Sequence, residues 1–497
     1  MKKERAEVKI TIWEALIPLV ALIGMLTANV FIFEDTLAGS NQMALLLAAA
    51  IASLLAFRLG ISWKRILKKM VNTIHSAMPA ILILLIIGAL AGAWMISGVV
   101  PAMIYYGLDI ISPRFFLVTA VVVGSIVSVA TGSSWSTVAT IGVALLGIGK
   151  AIGISDAVVA GAIISGAYFG DKMSPLSDTT NLAPAMAGTD VFTHVRYMVY
   201  TTTPSVLLTL GIFLVFGFSY DFSEITVDVT NTRTVIGETF NINLWLFLVP
   251  LFLLAIIILK VPPLPALLAG ALAGALFAII FQPHIIAEVA GGSGNPFRDG
   301  YHAAMQAMFG QVNLTTRDAG VNELLSTTGM RGMLDTIWLI LSAMIFGGAM
   351  EAAGFLRRIT RPIIRYARRQ GSLVAATVGT CIFFNFTASD QYISIVIPGR
   401  MYRKAYADQG LKPEVLSRAL EDAGTMTSVL IPWNTCGATQ SRVLGVATFD
   451  YLPYCFLNLI SPLMSIFFAV FNIKIRRIDQ KSSGHVQRTK KEDGEPI

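Results

Sequence analysis

Apolar runs close to the length of a bilayer crossing recur along the whole chain, and that recurrence constrains the fold more than any other feature. They cover residues 12–33, 43–57, 80–106, 115–130, 206–218, 244–259, 264–281, 334–350, 374–386 and 456–471. About 20 such residues cross the hydrocarbon core as a helix, and slightly fewer suffice where the bilayer thins or flanking side chains reach outward. Only 13% of the 497 residues are charged and 55% are hydrophobic, whereas about a quarter of a soluble domain is charged. A polytopic membrane protein in contact with lipid follows.

The first run exceeds the roughly 7–15 apolar residues of a cleaved signal core, and no small-x-small site follows it, so it reads as a retained span. The net charge of +7 does not indicate nucleic-acid binding, because the basic residues sit beside the spans. Cys381, Cys436 and Cys455 are scattered and match neither a disulfide framework nor a metal-ligand spacing. The nearest phosphate-loop lookalike ends in Gly149-Lys150, but Ala144 replaces its first glycine and Ala151 its hydroxyl. With no nucleophile or metal motif, neither an enzyme nor a nucleotide-driven pump is expected, and no cofactor. A channel is disfavoured as well, since channels tend to be symmetric oligomers of a short pore unit.

Lysine and arginine counts in short loops report the cytoplasmic side. Five clusters hold 27 of the 37 basic residues: Lys2 to Lys9, Arg58 to Lys69, Arg357 to Arg369, Arg400 to Arg418, and the tail from Lys474 to Lys491. One threading places all five inside, with both termini cytoplasmic in the inner (cytoplasmic) membrane. It uses ten crossings plus two re-entrant hairpins, 115–149 and 371–401, and strands no basic cluster outside.

The two halves share a pattern. Trp13-x4-Pro18-Leu19 matches Trp245-x4-Pro250-Leu251 at a shift of 232. Gly92, Gly98, Thr131 and Ser133 match Gly348, Gly354, Thr387 and Ser389 at a shift of 256. Pro175, Phe192 and Tyr197 match Pro432, Phe449 and Tyr454 at 257. The change of shift is accounted for by an extra extramembrane loop at about 283–331. Each half has an odd number of crossings in this threading, so the expected fold class is all-α and polytopic, built from two inverted repeats. The expected units are residues 1–219, an extracytoplasmic linker at 220–241, residues 242–472, and a cytoplasmic tail at 473–497. Such repeats place a binding site near the midplane, between interrupted helices.

Two interruptions stand out in each half. The first has Thr131-Gly-Ser-Ser-Trp-Ser136 at its hairpin tip and Gly170-Asp-Lys-Met-Ser-Pro-Leu-Ser-Asp-Thr-Thr-Asn181 inside its fourth crossing. The second has Phe386-Thr-Ala-Ser-Asp-Gln391 and Ile431-Pro-Trp-Asn-Thr-Cys-Gly437. Proline cannot continue the backbone ladder, so Pro175 and Pro432 free carbonyls there. Hydroxyls, carbonyls and carboxylates are the ligands that a hard cation takes. Asp178 and Asp390 are the leading acids, because a carboxylate at bilayer depth is costly unless it pairs or works. A sodium ion and a proton compete for one carboxylate, and competition yields exchange when the empty charged site cannot reorient.

Other acids are secondary. Asp171 is a proton-coupling candidate or the partner of its neighbour Lys172. Glu351 is a proton station or a cap, Glu421 and Asp422 are expected in a wet vestibule, and Glu14 and His75 at interfaces. Gly161, Gly166 and Gly170 read as sites of close helix packing.

The run Ser165-Gly-Ala-Tyr-Phe-Gly-Asp-Lys-Met-Ser-Pro-Leu-Ser-Asp-Thr-Thr-Asn-Leu-Ala183 resembles the signature of NhaC-type sodium/proton antiporters, members of the wider ion-transporter superfamily. The resemblance covers nearly all of the chain between its tails. It implies inverted repeats, each with one re-entrant hairpin and one unwound crossing, and sodium held between tip and unwound loop. Carried over, one sodium site uses Ser133, Ser134, Ser177, Asp178 and Thr179, and the other Ser389, Asp390, Asn434 and Thr435. The halves differ, since Thr435 matches Asp178 and Ser134 matches Asp390. Some relatives exchange malate for lactate or carry amino acids, so a small organic anion is the alternative cargo. Dimers are common in the superfamily.

Overall fold

The computed structural model describes residues 10–33, 39–110, 112–219, 229–367 and 369–478. The basic residues before Ile10, Arg368 and the tail beyond 478 lie outside the described residues, as does 220–228 of the expected linker.

The chain is all-α and polytopic. Helix α1 (Ile12–Ile32) starts at a capping box: Glu14 donates its amide to the Thr11 hydroxyl at 3.2 Å and accepts the Thr11 amide at 2.9 Å. Helices α2 (Ser40–Arg58) and α3 (Trp63–Ile96) follow. Gly98, at φ 79°, then turns the chain into α4 (Val99–Ile110). The expected span at 80–106 is therefore corrected: its helix begins at Trp63 and breaks at Gly98. The left-handed glycine, rather than the end of the apolar run, sets the stop.

The first hairpin descends through α5 (Phe116–Thr131) and returns through α6 (Ser134–Thr137), a π-turn at Val138–Gly142, and α7 (Val143–Ala151). The fourth crossing is split into α8 (Asp156–Met173) and α9 (Asp178–Ala187), and α10 (Val191–Ser219) completes the half. Inside the expected linker, α11 (Val229–Thr239) buries Val235 and Ile236.

The second half runs through α12 (Leu248–Ile258) and α13 (Pro263–Phe281). The insertion folds as α14 (Pro283–Ala290), α15 (Pro296–Phe309), α16 (Ala319–Leu324) and a small antiparallel ribbon pairing Val312–Asn313 with Ser326–Thr327. Helix α17 (Leu334–Ala353) stops at Gly354, φ 78°, before α18 (Phe355–Tyr366). Then come the hairpin α19 (Gln370–Thr387) and α20 (Gln391–Asp408), and a crossing split into α21 (Pro413–Leu420), a π-turn (Glu421–Thr425), α22 (Met426–Ser428) and α23 (Thr435–Leu444). Helices α24 (Thr448–Tyr451) and α25 (Phe456–Val470) close the described chain.

Among the described residues, 7 helices are long and apolar enough to cross a membrane, and two bent pairs raise this to 9. The first split crossing is not among them: α8 has 18 residues but carries three charges, Asp156, Asp171 and Lys172. Helix α13 shows what lipid selects. Gly270, Ala271, Gly274 and Ala278 face inward, while Leu268, Leu272, Leu276 and Ile279 are exposed. Small residues let helices approach, and large apolar ones face solvent hydrocarbon. The insertion is not a detached loop. A Cβ on Gly92 of α3 would lie 1.8 Å from the Ala307 carbonyl oxygen of α15, and one on Gly88 2.6 Å from that of Gly329.

Candidate ion-binding site

At the first hairpin tip, α5 ends because Gly132 adopts φ 68°. The tip lies against the gap between α8 and α9, where a Gly132 Cβ would come 2.6 Å from the Leu176 Cβ. Ser133 caps α6, accepting the Ser136 amide at 3.2 Å. Pro175 holds the gap open, and the Asn181 side-chain Nδ2 donates to the Pro175 carbonyl at 2.8 Å. The carbonyls of Asp171 and Lys172, freed by the break, accept the Thr180 hydroxyl at 2.6 and 3.1 Å.

These two segments meet on Asp171. Its carboxylate accepts the Ser134 hydroxyl at 2.7 Å on one oxygen and the Ser177 hydroxyl at 2.6 Å on the other. Ser177 lies 3.1 Å from the Thr179 hydroxyl. Hairpin tip and unwound segment are thus joined through a buried acid.

The second half repeats the construction with different groups. Ser389 sits at φ 58° without being glycine, and Asp390 caps α20 by accepting the Ile393 amide at 2.9 Å. The Ser389 carbonyl accepts the Thr435 amide at 3.0 Å, so tip and gap are bonded through the backbone. Asn434 caps α23 through the Cys436 amide at 3.0 Å and donates to the Asn385 carbonyl at 3.1 Å. The Ser389 hydroxyl is buried and has no hydrogen-bond partner among the described residues.

A cavity of about 800 Å³ lies between the two constructions. Ser133, Asp171, Asp178 and Thr179 line it from the first half, and Asp390 and Thr435 from the second. Asp171 and Asp390 are buried, whereas Asp178 is exposed on the cavity wall, with the Tyr392 hydroxyl 3.5 Å from its carboxylate. Ser134 and Ser177 stand behind the wall, bonded to Asp171. Ser389 and Asn434 are buried at the second tip and gap without lining the cavity.

Three expectations are corrected, and Glu351, read as a proton station or a cap, is given a partner. Lys172 pairs with Asp422 and not with its neighbour Asp171. Glu421 and Asp422 are fully enclosed rather than in a wet vestibule, because the π-turn packs between other helices. His75 lies within α3 and lines the cavity, since that helix starts earlier than expected. Glu351 is not brought to the cavity and forms an ion pair with Lys69 at 2.6 Å. Sequence reasoning passed over Lys260 and Tyr392 on the cavity wall and named Gln391 only as the end of the second interruption. Tyr392 and Gln391 directly follow Asp390, which was the available signal.

The family model described as the Na+/H+ antiporter family matches residues 166–473, the stretch holding the split crossings and the second hairpin. The chain belongs to that family. It is 35% identical to a Na(+)/H(+) antiporter NhaC of Alkalihalophilus pseudofirmus, over 91% of this chain and 95% of that one. It is 36% identical to a malate-2H(+)/Na(+)-lactate antiporter of Bacillus subtilis, over 90% and 92%. A third relative, the arginine/ornithine antiporter ArcD of Halobacterium salinarum, is 31% identical over 95% and 94%. Among the described residues no group of three or more His, Cys, Asp or Glu side chains is placed to hold a metal ion.

Proposed function

We propose that this antiporter exchanges sodium ions for protons by alternating access of the cavity between the two split crossings. The observation that carries the reading is the meeting of Asp171, Asp390 and hydroxyl-bearing tips on one cavity. Broken backbone is tolerated at membrane depth only where it is enclosed by protein or lines a wet cavity, and here it does both. Sodium takes an ionised carboxylate with hydroxyl and carbonyl oxygens, while a proton neutralises the carboxylate and releases the ion. Asp171 and Asp390 serve as the exchanging acids, and Asp178 as an acid of the approach. Ser133, Ser134, Ser177 and Thr179 supply oxygens in the first half, and Ser389, Asn434 and Thr435 in the second.

The halves act as inverted repeats, and matching stops at Gly98 and Gly354 with matching gaps after Met173 and Ser428 support this. The charge distribution supports an inner-membrane orientation with cytoplasmic termini. The cavity wall at Lys260 and Pro262, in the loop joining α12 to α13, then faces the cytoplasm.

A second reading, coupled exchange of a small organic anion, is favoured by Lys260 on the wall and by a cavity larger than a bare ion requires. Collapse of an imposed pH gradient in vesicles, on adding sodium, lithium, malate or lactate, separates the two. Sodium or lithium alone is expected to collapse it. A response confined to malate or lactate overturns the cation reading.

A further inference from the structure

Asp171 and Lys172 are neighbours on the last turn of α8, yet their side chains serve different halves of the molecule. Asp171 meets the hydroxyls of the first tip and gap. Lys172 is completely enclosed and forms an ion pair with Asp422, equally enclosed, in the π-turn of the second split crossing. The Lys172 ammonium also donates to the Ser461 hydroxyl of α25 at 3.4 Å. Thr201 of α10 donates to the other Asp422 oxygen at 3.2 Å. Each charge is therefore held by a second group from the opposite half.

Removing two charges from water costs more than their attraction usually returns, so a buried pair is poor evidence of a purely stabilising role. Its retention here has a local reason. The lysine stem is flexible and carries a compact point charge, and its nearest acid in sequence is Asp171. Glu421, beside Asp422 in the same π-turn, is also buried and lies within electrostatic reach of Lys172, but the ion pair is made by Asp422. The ammonium thus points toward Asp422 and Ser461 of the second half.

We propose that Asp422 is a positioning residue of the transport site: by engaging Lys172 it keeps that charge off the Asp171 carboxylate, which stays available to cations in the cavity. The proposal rests on Asp171 belonging to the cation site.

The test is the sodium concentration for half-maximal exchange in inverted vesicles, normalised to the amount of assembled protein. Asp422→Asn is expected to raise it about tenfold, the effect of quenching one charge-assisted ligand. Lys172→Met, which deletes the cation, is expected to leave it near the parent value, and so is the double variant. A merely structural pair would lower assembly in both single variants and move half-saturation in neither. Should Asp422→Asn fail to assemble, Thr201→Val, which removes only the hydroxyl on Asp422, is expected to raise half-saturation severalfold. Parental half-saturation in Asp422→Asn or in Thr201→Val, an equal rise in Lys172→Met, or a tenfold rise in the double variant overturns the proposal. Asp171→Asn is the separate control: undiminished sodium exchange there defeats the site reading itself.

Discussion

Asp171 accepts one hydroxyl from the hairpin tip and one from the gap, and it sits on the cavity wall. Hydrogen bonds to charged groups each contribute about 1.5–3 kcal/mol, so Asp171→Asn is expected to lower sodium-dependent exchange about a hundredfold at fixed sodium. Asp390→Asn should do the same, and Asp178→Asn, on the exposed wall, should cost less. Initial rates in vesicles check the order, and equal retention in all three would remove the site. Ser389 offers a sharper contrast. Its φ of 58° is a conformation that glycine adopts without strain, yet serine stands there with a buried, unpartnered hydroxyl. Ser389→Gly is expected to gain about 1 kcal/mol of stability from relieved strain while raising the sodium needed for half-maximal exchange. Thermal unfolding in detergent and transport then move in opposite directions. The sequence displayed Ser389 and Asp390 as polar residues at a break, but the backbone angle that singles out the serine is a property of the folded tip.

Helices α5 and α8 carry the first tip and the first gap, and they touch through glycines. A Cβ on Gly170 would lie 2.3 Å from the Ser128 carbonyl carbon, and one on Gly166 2.5 Å from the Val121 oxygen. Backbone cannot yield as a side-chain end can, so Gly170→Ala is expected to destabilise the protein by about 1–3 kcal/mol. Loss of thermal stability with a reduced exchange rate is the expected pair of results, and an unchanged melting temperature would contradict the contact. This packing was legible in advance in the small residues at 166 and 170, whereas Gly161, read with them, meets Tyr454 of the second half instead of α5. The gaps were legible too, since Pro175 and Pro432 cannot continue a helix. The length of α3 was not. Its first turns carry Lys64, Arg65, Lys68 and Lys69, so hydropathy alone starts the helix too late and carries it past the stop at Gly98.

On the scale of the whole molecule, the cavity communicates with the surface along a wall that includes the exposed Leu176 and Lys260. Cys381, Cys436 and Cys455 are all buried and free. A Leu176→Cys variant lacking those three thiols is expected to react with an impermeant thiol reagent from the cytoplasmic face. Saturating sodium should slow that reaction severalfold by ordering the adjoining gap. Labelling from the outer face alone would reverse the proposed orientation. Labelling indifferent to sodium would separate the cavity from the ion path.

By itself the sequence determined that the chain lives in a membrane, that it is helical, and that the backbone must break around Pro175 and Pro432. Apolar length, charge sparsity and proline act locally and need no partner to be read. Only the tertiary structure decided which polar groups meet. Lys172 reaches Asp422 instead of the acid beside it, Asp171 gathers hydroxyls from a hairpin and a gap, and Glu351 is spent on Lys69. The physical reason is that a side chain's partner depends on the direction in which it leaves its helix and on what is packed there. Residues some 250 positions apart in the chain carry no local signal of that encounter.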